Sequence, residues 1–196
     1  MQYATEQQKQ RYLPPMAAGE EIWCQLFSEP SAGSDVAGLR SKAVQDGDDW
    51  IINGQKVWTS GAQFCDYGII VVRHDANLDK HAGMTFFFVN MKSPGIDIKP
   101  IKQITGGSSF NEVYFNDVRI PDSQRLGAIG DGWRVAITTL MNERLAVGDA
   151  NGVDATEAFD WAQGQDNHGQ PLINNQAVRE SIADWYCQAS GLKNTK

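Results

Sequence analysis

Between residues 22 and 121 the apolar positions fall in short runs broken by Gly, Asn, Asp and Pro. Such a pattern predicts strand after short strand. The run at 22–27 reads as a buried strand that stops at Glu29-Pro30, because proline disfavours helix in the residue before it and lacks a ladder donor. Residues 68–73 and 84–91 form apolar runs bounded by polar turns and predict strands buried on both faces, whereas 96–102 and 112–118 alternate. In the last of these Val113 and Phe115 share one face, opposite Glu112, Tyr114 and Asn116. Segments 49–52 and 55–58 flank Asn53-Gly54, a pair that favours positive φ, and so predict a hairpin turning there.

The two ends of the chain differ. Thr5-Glu6-Gln7-Gln8 has capping-box spacing and predicts a short helix that stops before Pro14-Pro15. Beyond the flexible link 126–132, Trp133, Ile137, Leu140, Met141 and Leu145 recur at helical period, with Asp131 placed to cap a helix over 133–147. Segments 155–163 and 176–189 are also helix-like, separated by the breaker-rich 164–175. The expected fold is therefore mixed α and β. An antiparallel β-barrel or sandwich domain (22–127) is flanked by a short N-terminal helix (1–21) and an incomplete C-terminal helical domain (128–196).

Composition narrows the function classes. With 196 residues, 41% of them hydrophobic, the chain can bury one sizeable core. A net charge of −7 and a pI near 4.9, without a Lys/Arg cluster, argue against a nucleic-acid partner. Cys24, Cys65 and Cys187 are widely spaced and form no CxxC, so neither a disulfide framework nor a metal site is expected. The first residues lack a signal peptide's basic head and apolar stretch, and no apolar segment reaches membrane-spanning length, so the expectation is a cytoplasmic protein.

Candidate chemistry sits at two strand ends and on one helix. The loop after residue 27 carries Ser28, Ser31, Gly33, Ser34 and Asp35, small and polar residues that let backbone approach a flat, polar-edged ligand. About thirty residues on, Trp58-Thr59-Ser60 places a large aromatic beside two hydroxyls. Taken singly, the loop reads more readily as an ordinary Ser/Gly/Asp turn and Trp58 more readily as core. On the 133–147 helix, Glu143 stands at helical spacing from Ala136, Leu140, Ala146 and Val147, and Arg144 from Ile137, Leu140 and Met141. Apolar surroundings raise a carboxylate's pKa toward that of a general base, although an adjacent acid and base on a helix often form only a solvated face.

Phe27-Ser28-Glu29-Pro30-Ser31-Ala32-Gly33-Ser34-Asp35, Asn53-Gly54-Gln55-Lys56-Val57-Trp58 and Phe115-Asn116-Asp117-Val118-Arg119-Ile120-Pro121 occur in that order. On these motifs the chain resembles the acyl-CoA dehydrogenase family, matching the end of its N-terminal helical domain, its middle β-domain and the start of its C-terminal helical domain. The resemblance implies FAD as cofactor and an acyl-CoA thioester as substrate, oxidised between its α and β carbons. It also implies electron transfer to an electron-transferring flavoprotein and a homo- or hetero-oligomer.

Carried over by position, Gln25, Leu26, Phe27 and Ser28 match the family's flavin-binding strand and loop, with Ser28 a direct ligand where threonine is common. Trp58 matches the aromatic packed along the flavin, with Thr59 next to it and Ser60 at the hydroxyl position near N5. Ser34 matches a contact to the coenzyme A arm. Glu143 matches one of the family's two positions for the α-proton base, and Arg144 an arginine near the acyl site. Gln165 stands where the family has an arginine that reaches the FAD diphosphate across a subunit interface, and His168 replaces a phenylalanine. That departure leaves flavin retention open. The alternatives are a catalytically incompetent fragment or assembly subunit of such an enzyme, and an acyl-CoA oxidase.

Overall fold

The computed structural model describes residues 2–147, 155–164 and 168–194. They form two compact units, Met1–Glu143 and Arg144–Lys196.

The first unit opens with α1 (Glu6–Ala17). Its N-terminus is the expected capping box: Gln8 N–H donates to Thr5 Oγ1 at 3.1 Å, and Thr5 N–H to Gln8 Oε1 at 2.9 Å. The helix does not stop at the prolines but runs through Pro14 and Pro15. The carbonyls that lose their donors to these residues belong to Gln10 and Arg11, both exposed residues, so the missing bonds fall on the open side of the helix. Tertiary anchors hold the helix on either side. Buried Tyr12 meets Trp23, Tyr67 and Phe88 edge-on at ring centroid distances of 5.0–5.4 Å. The Gln8 amide donates to the carbonyls of Ser123 and Arg125, both at 2.9 Å.

Eight strands follow: β1 (Trp23–Leu26), β2 (Lys42–Asp46), β3 (Asp49–Ser60), β4 (Tyr67–Arg73), β5 (Met84–Asn90), β6 (Ile96–Ile101), β7 (Phe110–Pro121) and β8 (Arg125–Leu126). They make one sheet in the order β6-β7-β3-β2-β4-β5-β8, with β1 paired to β4. Pairing is antiparallel except for β1 with β4 and a single β2 to β4 bridge, which are parallel. Mixed α and β architecture is thus present, dominated by antiparallel sheet.

The apolar strand β5 is buried on both faces because two cores meet on it. Phe87 and Val89 join Leu26, Ile52, Ile70, Phe115 and Ile120 in one core. Met84, Phe86 and Phe88 point the other way, to Tyr12 of α1 and to Val135 and Ala136 of α2 (Gly132–Val147). Asp131, just ahead of α2, accepts from Ala128 N–H and from Arg134.

The hairpin expected at Asn53-Gly54 is not there. The chain turns at Gly47-Asp48, between β2 and β3, and β3 continues unbroken through residues 53 and 54 along β7. Gly54, at φ 149°, lies instead at a register shift against β7, where a Cβ would come within 2.5 Å of Ser41 Cβ and 2.7 Å of its Cα. Glycine is needed at residue 54 for close approach, and at residue 47, with φ 63°, for the turn. Asn53 is taken up by Asp117, whose carboxylate accepts from its amide at 2.8 Å and whose N–H donates back at 3.0 Å.

The second unit contains α3 (Ala155–Ala162) and α4 (Gln176–Asn194), the latter five residues longer than expected. Leu172 N–H donates to Gly164 O at 2.9 Å, and Arg179 donates to the carbonyls of Ile173 and Asn174, folding the connection back. Phe159, Trp161, Trp185 and Tyr186 remain exposed on this helix pair.

Candidate functional site

The two strand ends marked in the sequence converge. Val57 N–H donates to Ser28 O at 2.9 Å, joining the end of β1 to the residue before Trp58. Leu26 and Phe27 are buried, each in a different core, and Ser28 is half-buried at the point where the chain leaves the sheet. Glu29 and Ala32 exchange backbone bonds of 2.8 and 3.0 Å that close the loop.

Trp58 is the unusual residue here. It lies at φ 60°, left-handed backbone that an L side chain rarely adopts, and it is 60% exposed. The cause is a bulge. Between Lys56, opposite Val113, and Thr59, opposite Asn111, β3 carries one residue more than β7. A bulge re-aims side chains and is common beside functional sites. Here it turns the indole out into solvent, with Phe110 edge-on at 6.2 Å. The following Thr59 is buried with an unpartnered hydroxyl, while Ser60 is exposed. An outward indole, the half-buried Ser28 hydroxyl and the orphaned Thr59 hydroxyl fit a flat ring system with polar edges such as the isoalloxazine of FAD.

Beneath this surface lies a buried ion pair that sequence reasoning missed. Lys56 is 0% exposed and its Nζ donates to Glu29 Oε1 (2.8 Å), Val71 O (2.8 Å) and Phe27 O (3.1 Å). Glu29 accepts in addition from the N–H groups of Arg40 (2.6 Å) and Ser41 (3.1 Å). Burial pushes the Lys56 ammonium down to about 8 against the opposing pull of Glu29. For Glu29, burial pushes upward, but the Lys56 charge and the hydrogen bonds outweigh it and hold the carboxylate below its usual range. No local signal marked it, since Lys56 stands among Asn53, Gly54 and Gln55 before it and Thr59 and Ser60 after Trp58, and its burial is set by the sheet.

The helix residues fall less neatly. Gln25, half-buried on β1, donates from its amide to Glu143 Oε2 at 3.3 Å, a contact between residues 118 positions apart. Glu143 itself is exposed, so the apolar surroundings expected of it are not supplied by the described residues. Ala136, on the same helical face, is buried against the sheet, but two turns later α2 has passed that cover. The side chains of Leu145, Ala146 and Val147 lie outside the described residues. Arg144 is exposed and belongs to the second unit. Ser34 is exposed in its loop, next to Asp35, which pairs with Lys80 at 2.6 Å. Gln165 lies outside the described residues, and His168 is exposed.

Comparison with known proteins bears on the whole chain. Residues 24–118 match the model of the acyl-CoA dehydrogenase middle domain and residues 130–195 that of the acyl-CoA dehydrogenase C-terminal domain. Acyl-CoA dehydrogenase FadE34 of Mycobacterium tuberculosis is 50% identical over 147 residues, covering 75% of this chain and 21% of that protein. Among solved structures, the ChsE4-ChsE5 complex from Mycobacterium tuberculosis superimposes with a TM-score of 0.81 at 34% identity, over 98% of this chain and 51% of that one. A glutaryl-CoA dehydrogenase from Mycobacterium smegmatis in complex with FADH2 gives a TM-score of 0.79 at 27% identity, over 97% of this chain and 49% of that one. The chain therefore spans about half the length of these structures, and less of FadE34.

Proposed function

Because the chain belongs to the acyl-CoA dehydrogenase family, we propose that it supplies the flavin-facing β-domain of an FAD-dependent acyl-CoA dehydrogenase. The observation that carries this reading is the bond from Val57 N–H to Ser28 O, which sets the Ser28 hydroxyl and the outward Trp58 indole on converging strand ends. Bound there, FAD would supply the acceptor for a hydride from the β carbon of an acyl-CoA thioester. Ser28 would bond the ring's polar edge and Trp58 would lie along its plane and exclude water, with Ser60 a further hydroxyl at its rim. Ser34 is proposed to meet the coenzyme A arm.

Glu143 is proposed as the base for the α proton, with Gln25 holding its carboxylate and Arg144 accessory. Electrons would pass to an electron-transferring flavoprotein, and a second dehydrogenase chain is the proposed assembly partner, as in the ChsE4-ChsE5 complex. The three cysteines, all free thiols, are in keeping with a reducing cytoplasm, and no helix of the described residues is long and apolar enough to cross a membrane.

A second reading, an assembly subunit without turnover of its own, is favoured by the exposure of Glu143 and Arg144. One experiment separates the two. The purified chain, alone and with a candidate partner chain, is loaded with FAD and mixed anaerobically with acyl-CoA thioesters of several lengths. Bleaching of the flavin absorbance is expected. Retention of flavin without bleaching by any thioester indicates the assembly reading, failure to retain flavin overturns the site, and rapid peroxide release under air identifies an oxidase.

A further inference from the structure

We propose that Glu29 and Lys56 are positioning residues of the cofactor-facing surface, their buried ion pair fixing the Ser28 peptide against the bulge that presents Trp58. This rests on the reading of that surface as a flavin site. Each member of the pair is covalently close to a residue on the surface: Glu29 follows Ser28, and Lys56 precedes Trp58 by two residues. Neither reaches the surface itself, since Lys56 is fully buried and the Glu29 side chain nearly so.

The bonding leaves little freedom. The Lys56 ammonium spends its three protons on three acceptors from separate segments: Phe27 O at the end of β1, Val71 O on β4, and Glu29 in the loop. Glu29 spends its remaining capacity on the N–H groups of Arg40 and Ser41. The pair therefore ties β1, β3, β4 and the 39–41 segment at one point. Lys56 is also the last residue of β3 in regular register before the bulge, where Trp58 is held at φ 60°. Strained backbone persists only where its surroundings over-determine it, and the anchored Lys56 on one side and the Thr59 to Asn111 pairing on the other do so here.

Stability alone is a weak reason for such a pair, because a buried ion pair is often no more stabilising than apolar side chains of the same volume. Directional bonding is what apolar replacements lack.

The test compares three forms of the full chain: parent, Glu29→Gln and Ile120→Ala, the last a matched destabilising control in the core at the far end of β7. Melting temperature, the resonances of the Trp58 indole N–H and the Ser28 amide, and FAD affinity by titration are measured for each below its own melting temperature. Both variants should melt lower. Only Glu29→Gln should shift or split the Trp58 and Ser28 resonances and weaken FAD binding, by about tenfold or more, as for a partner displaced on the order of 1 Å. Resonances and affinity unchanged in Glu29→Gln, or changed equally in Ile120→Ala, would overturn the proposal. Should Glu29→Gln not fold, Glu29→Asp keeps the charge on a shorter arm and should show the same displacement. A parent that takes up no FAD sinks the flavin reading, while the two resonances still decide the positioning role.

Discussion

Glu29 carries its charge to a place that water does not reach, and its stability contribution follows from what surrounds it there. Breaking a buried, fully bonded pair by removing one partner costs about 3–5 kcal/mol, so Glu29→Gln and Lys56→Met should each lower the melting temperature by many degrees. The loss for Glu29→Gln depends on pH in a fixed direction. Its folded pKa is held below 4.5, so its contribution is full above that pH and is lost as the pH falls through the folded value. The melting-temperature gap between parent and Glu29→Gln should therefore narrow as the pH falls on the acid side of the ordinary carboxylate range; a gap that widens on acidification would contradict the ion pair. At Gly54 the argument is steric. Alanine there meets Ser41 backbone at 2.7 Å with φ at 149°, and should cost roughly 2 kcal/mol or more by denaturant titration. If Glu143 is the base proposed above, Glu143→Gln, which keeps size and removes the carboxylate, should slow flavin reduction by acyl-CoA about 10²–10⁴-fold with FAD content unchanged. A near-parental rate would assign the proton abstraction elsewhere.

β3 shows how an element acquires features that its own sequence does not announce. Its twelve residues pair with β7 from Asp49↔Pro121 to Ser60↔Phe110, and two register shifts on the way make the kinks at Gly54 and Trp58. Asn53-Gly54 carries a strong local turn signal, yet long pairing with β7 and the Asn53 to Asp117 bonds override it. At Trp58 the bulge costs about 1–3 kcal/mol of backbone strain. Trp58→Gly relieves that strain and sacrifices an exposed indole, so stability should hold or rise by about 1 kcal/mol while FAD affinity falls. Pronounced destabilisation of this variant would show that the indole supports the fold instead of facing a ligand. α1 is a second case. Its prolines are tolerated because the carbonyls they orphan belong to exposed residues and because Gln8 and Tyr12 anchor the helix to distant segments.

At the scale of the whole molecule the consequence concerns association. The second unit leaves Phe159, Trp161, Trp185 and Tyr186 exposed on two helices, and exposed aromatic surface that forms a patch favours association. Sedimentation velocity on the isolated chain should show concentration-dependent self-association, and Trp161→Lys with Trp185→Lys should reduce it without altering the folding of the first unit. A parent that sediments as one monomeric species at all concentrations would refute this.

The sequence by itself determined the strand-rich middle, the capping box at Thr5, the doubly buried β5 and the family motifs, because each is written in contiguous residues whose periodicity or chemistry is local. It also marked Ser28 and Trp58 as worth joining. Tertiary structure decided what depends on residues far apart in the chain. The hairpin moved to Gly47-Asp48 because β7 extends β3, and the indole of Trp58 turned outward because the two strands differ by one residue across a bulge. The Lys56 to Glu29 pair and the Gln25 to Glu143 contact link positions 27 and 118 residues apart. Alternation along a strand says which residues face inward, but it carries no information on which inward residue will meet which, since that is set by register and by the packing of the closed core.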